Sequence, residues 1–173
     1  RAEGPHVEEV LADPLARLVH TVGTALALLL ALLAVFSEFG FGYNRVKKIA
    51  TDAEGRMQPE ALRDAIGTTS RPRIIIATAG QINTGAFDPF VDIMAIAKAA
   101  GAWVHVDGAF GLWARAAPSL RHLTEGIEGA DSWGTDGHKW LQVPYDCGFA
   151  IVKDREAHLR AMTQWSSYLP TIG

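Results

Sequence analysis

The chain has 173 residues, 49% of them hydrophobic and 20% charged, and a formal net charge of −3. That length and composition suit one domain with a real core and exclude a disordered segment. Acidic and basic residues are mixed along the chain with no Lys/Arg run, which argues against a nucleic-acid partner.

Taken in order, the sequence starts at Arg1 rather than Met, which reads as a fragment. Residues 1–40 form an atypical apolar segment. Leu18 to Ser37 carries no charge, and Ala25 to Phe36 is unbroken apolar sequence. A membrane helix needs roughly 20 apolar residues, and this run reaches that only by counting His20, Thr21, Gly23, Thr24 and Ser37. It is read as a buried core helix, with a membrane segment as the alternative. No small-residue cleavage site marks it as a signal peptide.

Beyond residue 44 the pattern alternates. Arg45–Ala50 is expected as a strand, and Asp52-Ala-Glu-Gly55 as a turn. Pro59 opens a helix through Ile66, in the first turn, where a missing N–H costs least. Arg73–Thr78 holds the β-branched run Ile74-Ile75-Ile76 of a buried strand. Ala79–Phe87 is a loop. Asp88-Pro89 is a cap-plus-Pro start for a helix Pro89–Ala100 that stops at Gly101. Trp103–Asp107, Asp131–Asp136 and Gly148–Val152 are further strands, and Asp154 caps a last helix. Strand, helix and strand at this spacing predict a single α/β domain: three layers, with a mostly parallel sheet and flanking helices. Such sheets bind ligands beyond the carboxyl ends of their strands. The one cysteine, Cys147, fits a reducing cytoplasm and offers no disulfide; no metal site is expected.

Two residues could carry chemistry. Lys139, in Thr135-Asp-Gly-His-Lys-Trp140, follows an expected strand and is flanked by aromatic rings. Loss of hydration there would favour the neutral, nucleophilic amine; a lysine laying its stem on Trp140 is the plainer alternative. Asp107 ends Trp103-Val-His-Val-Asp107 beside the small residues Gly108 and Ala109, which leave room for a flat ring. A carboxylate about 3 Å from a cationic ring nitrogen gains roughly 5 kcal/mol at an effective dielectric near 20, before desolvation. The plainer alternative is a loop cap. Asp107 and Lys139 fall at successive strand ends, as needed to hold opposite poles of one planar cofactor.

These motifs resemble those of the group II pyridoxal-phosphate decarboxylases, which include the aromatic amino acid and glutamate decarboxylases. The matching stretches are Asp52-Ala-Glu-Gly-Arg-Met57, Thr84-Gly-Ala-Phe-Asp-Pro89, His105-Val-Asp-Gly-Ala-Phe-Gly111 and the run from Ala130-Asp-Ser-Trp to Tyr145-Asp-Cys-Gly148. The likeness covers about residues 40–170 and implies part of the large domain of a fold-type I enzyme with pyridoxal 5'-phosphate as cofactor. It implies Lys139 as the aldimine lysine and Asp107 as the pyridinium partner. It implies Ala109 against a ring face, His138 near the phosphate and aldimine, and Asp136 near the phosphate. Thr78 and Gly80 fall in the loop beneath the cofactor.

Other family parts lack a counterpart. Nothing before residue 40 matches the serine-containing phosphate turn, and His20 is the only candidate for the histidine that stacks on the ring. The family's small domain and mobile loop are also missing. The resemblance implies decarboxylation of an L-amino acid to an amine: the substrate displaces Lys139, CO₂ leaves, electrons drain toward the nitrogen held by Asp107, and Cα is protonated. It implies a homodimer with the active site at the interface. Transamination or oxidative deamination on the same fold, and an inactive truncated remnant, are the alternatives. Trp103, Trp113 and Trp133 are read as core rather than as signs of an aromatic substrate.

Overall fold

The computed structural model describes residues 45–68, 71–145 and 147–162. The chain divides at Lys48/Ile49, and the fold below belongs to the second unit. Its first helix, α1, spans Pro59–Ile66 with Pro59 in the first turn, as its fixed φ favours, and it buries Leu62. Strand β1 is Ile74–Thr78. Helix α2, Phe90–Ala100, buries Phe90, Ile93, Ile96 and Ala97, a spacing of three to four that keeps them on one stripe. It stops at Gly101 with φ 60°, whose N–H bonds back to the last turn as the left-handed geometry allows. Strand β2 is Trp103–Asp107. Three short 3₁₀ segments follow at Leu112–Ala116, Arg121–Thr124 and Ile127–Gly129. Strand β3, Ser132–Asp136, runs directly into a single helical turn, α3, at Gly137–Trp140. Strand β4 is Gly148–Val152, and α4 is Arg155–Met162. The Asp154 carboxylate accepts the Ala157 N–H at 3.0 Å, the expected cap.

The sheet order is β1-β2-β3-β4. The first three strands are parallel and β4 is antiparallel, so the mostly parallel α/β architecture expected from the sequence is present. Alternation gives the sheet two unlike faces. Ile75, Ala77, Val104 and Val106 point to one side and join Leu62, Phe90, Ile93, Ile96, Ile127 and Ala130 in the core. Full burial of an apolar side chain such as Ile93 contributes about 1.5–3 kcal/mol. The opposite face carries Ile76, His105 and Ser132 in one cross-strand row, then Thr78, Asp107 and Gly134 in the next. Apart from Ser132, these residues are partly or fully exposed.

Arginine 73 ties the helices to the sheet. Its guanidinium donates to the Ile66 and Gly67 carbonyls behind α1 and to the Ala100 carbonyl at the end of α2. One cation thus serves the carbonyl ends of two helices, where both the unpaired oxygens and the macrodipole favour it.

Two sequence expectations are corrected. Arg45–Ala50 is not a strand: these residues form no ladder, and the nearest pairing is an isolated bridge between Thr51 and Met57. The adjacent Lys47 and Lys48 break the alternation a half-buried strand needs, so no apolar face exists to hold the segment in register. Asp88 does not cap α2. Pro89 occupies the N-cap position with no side-chain cap bond, while the buried Asp88 carboxylate accepts the Met57 N–H at 2.6 Å and the Thr78 N–H at 2.7 Å. Two buried donors from separate segments outweigh one solvated helix end. Burial pushes the Asp88 carboxyl above its usual range, and those two N–H bonds pull the other way.

No helix among the described residues is long and apolar enough to cross a membrane. The run Leu18–Ser37 and His20 lie outside the described residues.

Candidate functional site

The carboxyl ends of β1, β2 and β3 lie side by side because these strands are parallel. Thr78 is opposite Asp107, and Asp107 is opposite Gly134. Asp136, two residues beyond Gly134, lies on that same open face at the end of β3. The turn α3 then brings Lys139 back over the strand end, where Nζ lies 2.6 Å from Asp136 Oδ2. Parallel order and the short turn therefore bring the Asp107 carboxylate and the Lys139 amine to one end and one face of the sheet.

Glycines set the floor of this end. A Cβ on Gly111 would meet the Ala79 carbonyl at 2.5 Å, and one on Gly80 would meet Gly111 backbone at 2.9 Å. The loops after β1 and β2 pack backbone to backbone, and only glycine permits that approach. The packing seats Phe110 with its ring under Lys139, the ammonium nitrogen 4.0 Å from the centroid. The amine is thus held by a carboxylate and an aromatic face, with its side chain 26% exposed. Phe110 had no assigned role in the sequence. Its signal was the Gly111 that follows it, but which ring or cation it would meet depends on the loop packing.

Around Asp107 the ordinary loop-cap interaction is present: Oδ1 accepts the Ala109 N–H at 3.2 Å. That contact uses one oxygen of an exposed carboxylate and leaves it able to accept from a ligand. His138 sits on α3 with Nδ1 3.3 Å from the Cys147 carbonyl, its ring 4.6 Å from that of Tyr145 and Nε2 3.9 Å from Asp136 Oδ2. Asp136 therefore faces both the lysine and the histidine. The indole N–H groups of Trp103, Trp113 and Trp133 are all satisfied internally, by Ser132 Oγ, the Asp136 carbonyl and the Ile127 carbonyl. Of the three, only Trp133 packs against the core as the sequence suggested; Trp103 and Trp113 are half-buried and bonded internally outside it.

Ser132 and His105 are the other polar pair on this face, with Oγ and Nδ1 2.9 Å apart. Burial holds the His105 imidazole below its usual range, and the Asp107 charge opposes that shift. No spacing in the sequence predicts the pair, because the β2–β3 register alone brings the two residues opposite one another.

This donor set fits pyridoxal phosphate at the two poles of its ring. Asp107 would offer a negative oxygen to a protonated ring nitrogen, Lys139 would offer its primary amine to the aldehyde, and Gly134, opposite Asp107, adds no side chain to that part of the face. A separate cleft of about 300 Å³ lies at Leu112, Trp113, Thr135, Phe149 and Ile151. Thr135 places it on the opposite side of the sheet, and it is almost wholly apolar, so the convergence of polar groups identifies the site better than cavity size. No set of three metal-ligating side chains occurs among the described residues.

Comparison with known proteins supports the same conclusion. The chain is 36% identical over 115 residues to tyrosine decarboxylase 2 of Narcissus pseudonarcissus, covering 64% of this chain and 23% of that protein. It is 40% identical over 123 residues to the L-2,4-diaminobutyrate decarboxylase of Rhizobium meliloti, covering 67% of this chain and 24% of the relative. It thus spans about a quarter of the length of these relatives. The crystal structure of mouse CSAD superposes with a TM-score of 0.70 at 32% identity, over 75% of this chain and 28% of that one. A family model described as the pyridoxal-dependent decarboxylase conserved domain matches residues 16–171. The chain therefore belongs to the pyridoxal-dependent decarboxylase family.

Proposed function

We propose that this chain forms part of a pyridoxal-phosphate enzyme that decarboxylates an L-amino acid to an amine, with Lys139 as the residue that binds the cofactor covalently. One observation carries the reading: the Asp107 carboxylate and the Lys139 amine, which is held by Asp136, come from the carboxyl ends of neighbouring parallel strands, with Gly134 opposite Asp107. Family membership supplies the reaction class, and its relatives named above are decarboxylases.

When bound, pyridoxal phosphate supplies an electron sink for the pair left behind as CO₂ departs. The residues of the chain orient and polarise. Asp107 would hold a proton on the ring nitrogen through its exposed carboxylate, which would keep that sink effective. Asp136 holds the Lys139 ammonium over Phe110 until the amine is needed. His138, set against Tyr145 and the Cys147 carbonyl with Nε2 3.9 Å from Asp136, would serve the phosphate end and the aldehyde end near Lys139. Ala109, whose N–H steadies Asp107, would pack on a ring face of the bound cofactor. His20 is the proposed stacking residue on the other face. Assembly as a homodimer in the cytoplasm completes the proposal.

Borohydride reduction in the presence of pyridoxal phosphate, followed by peptide mapping, tests it. The label is expected on Lys139. Label on another lysine, or none in a cofactor-saturated sample of the complete protein, rejects the assignment. Release of CO₂ with an amine product, rather than a keto acid or aldehyde, distinguishes decarboxylation from transamination or oxidative deamination.

A further inference from the structure

Three side chains on the open face form a hydrogen-bond chain whose direction follows from their chemistry. Trp103 Nε1 lies 2.9 Å from Ser132 Oγ, and Ser132 Oγ lies 2.9 Å from His105 Nδ1. An indole N–H only donates, so Ser132 Oγ accepts from Trp103. The serine hydroxyl has one proton of its own. Ser132 is 9% exposed, and among the described residues His105 Nδ1 is the only acceptor within reach of that proton. A buried hydroxyl proton left without an acceptor is costly, so the serine donates to Nδ1. With Nδ1 an acceptor, the ring proton resides on Nε2.

We propose that His105 is a positioning residue, locked by Trp103 and Ser132 as the neutral Nε2–H tautomer so that it presents a donor rather than a charge beside Asp107. The ring lies along Gly134, where a Cβ would stand 3.7 Å from both Cε1 and Nε2, so Nε2 faces the row that contains Asp107. Around the ring, β1 contributes Ile76 and Thr78, β3 contributes Ser132 and Gly134, and β2 contributes Asp107, the only charged group of this set. Protonating His105 would place a second donor against a serine hydroxyl already aimed at it; the Asp107 carboxylate favours the charged ring, and the serine contact and burial work against it. The neutral ring leaves the negative charge of Asp107 for a cationic ligand nitrogen. That last consequence rests on the function proposed above; the tautomer itself does not.

The test is a long-range ¹H–¹⁵N correlation spectrum of the full chain with ¹⁵N-labelled histidine, without cofactor, His105→Gln serving to assign the signals. The expected pattern near neutral pH is a protonated Nε2 and a bare Nδ1. One hydrogen bond of ordinary strength corresponds to roughly a tenfold tautomer preference. Ser132→Ala is expected to remove that preference and raise the pH at which the ring protonates, and Ser132→Thr to restore both. A proton on Nδ1, an imidazolium near neutral pH, or an unchanged tautomer in a folded Ser132→Ala chain overturns the proposal. Should that variant fail to fold, the wild-type spectrum alone decides. Because no cofactor is added, failure of Lys139 to bind pyridoxal phosphate would sink the functional proposal and leave this result standing.

Discussion

The two faces of the sheet are built from the same strands and obey different rules. On the closed face, Ile75, Ala77, Val104 and Val106 meet Phe90 and Ile93 of α2, and the side chains there are apolar and buried. On the open face, His105, Asp107, Ser132 and Asp136 are polar, and their partners come from neighbouring strands, a loop or α3. Alternation along a strand lets one five-residue segment serve both. Val104 and Val106 stabilise the fold, while His105 and Asp107 between and beyond them are free to carry chemistry. Substitutions on the two faces should therefore separate stability from cofactor capture.

The sharpest separation is expected at Lys139. Lys139→Ala should abolish borohydride-trapped cofactor altogether, whereas the lost ion pair with Asp136 should change unfolding free energy by no more than about 1 kcal/mol. Urea denaturation measured beside the trapping reaction checks both halves. On the closed face the reverse holds. Phe90→Ala should cost about 3–5 kcal/mol, since the ring is 2% exposed and leaves a cavity in the core. Residual folded chain should still capture cofactor.

Asp88 tests the boundary between the faces, because it binds the end of β1 from below. Asp88→Ala strands the Met57 and Thr78 N–H groups and should cost about 2–4 kcal/mol, and Asp88→Asn, which keeps one acceptor, about half of that. Thermal melts of the two variants would rank them. Arg73→Met, which strands carbonyls behind α1 and α2, should cost about 1–3 kcal/mol by the same measurement.

The smallest effect is a pH dependence on the open face. Burial lowers the His105 value below its ordinary 6.5, so the folded chain resists protonation more than the unfolded chain does. Between the folded value and 6.5 the unfolded state binds more protons, and stability falls as pH falls through that window. Above 6.5 the contribution is fully present. His105→Asn should flatten that slope in urea titrations at stepped pH. A slope that persists unchanged would assign it to another group.

Much of this was legible in the sequence. The β-branched run Ile74-Ile75-Ile76 marked β1, and Pro59 and Gly101 marked helix ends, because these signals arise from local sterics. Asp107 and Lys139 stood out through their motifs. Asp88 was misread because its two partners lie 31 and 10 residues away in sequence, and local rules see only the adjacent helix. Arg45–Ala50 was misread because strand propensity says nothing about whether a partner strand is available.

The sequence by itself determined the family, the α/β alternation and which residues carry an amine and a carboxylate, since each is written in short contiguous stretches. Only the tertiary structure decided that Asp136 pairs with Lys139, that Phe110 lies beneath it, and that Ser132 meets His105. Those contacts depend on strand register and on loops packed through Gly80 and Gly111. Both are set by long-range packing that no window of neighbouring residues encodes.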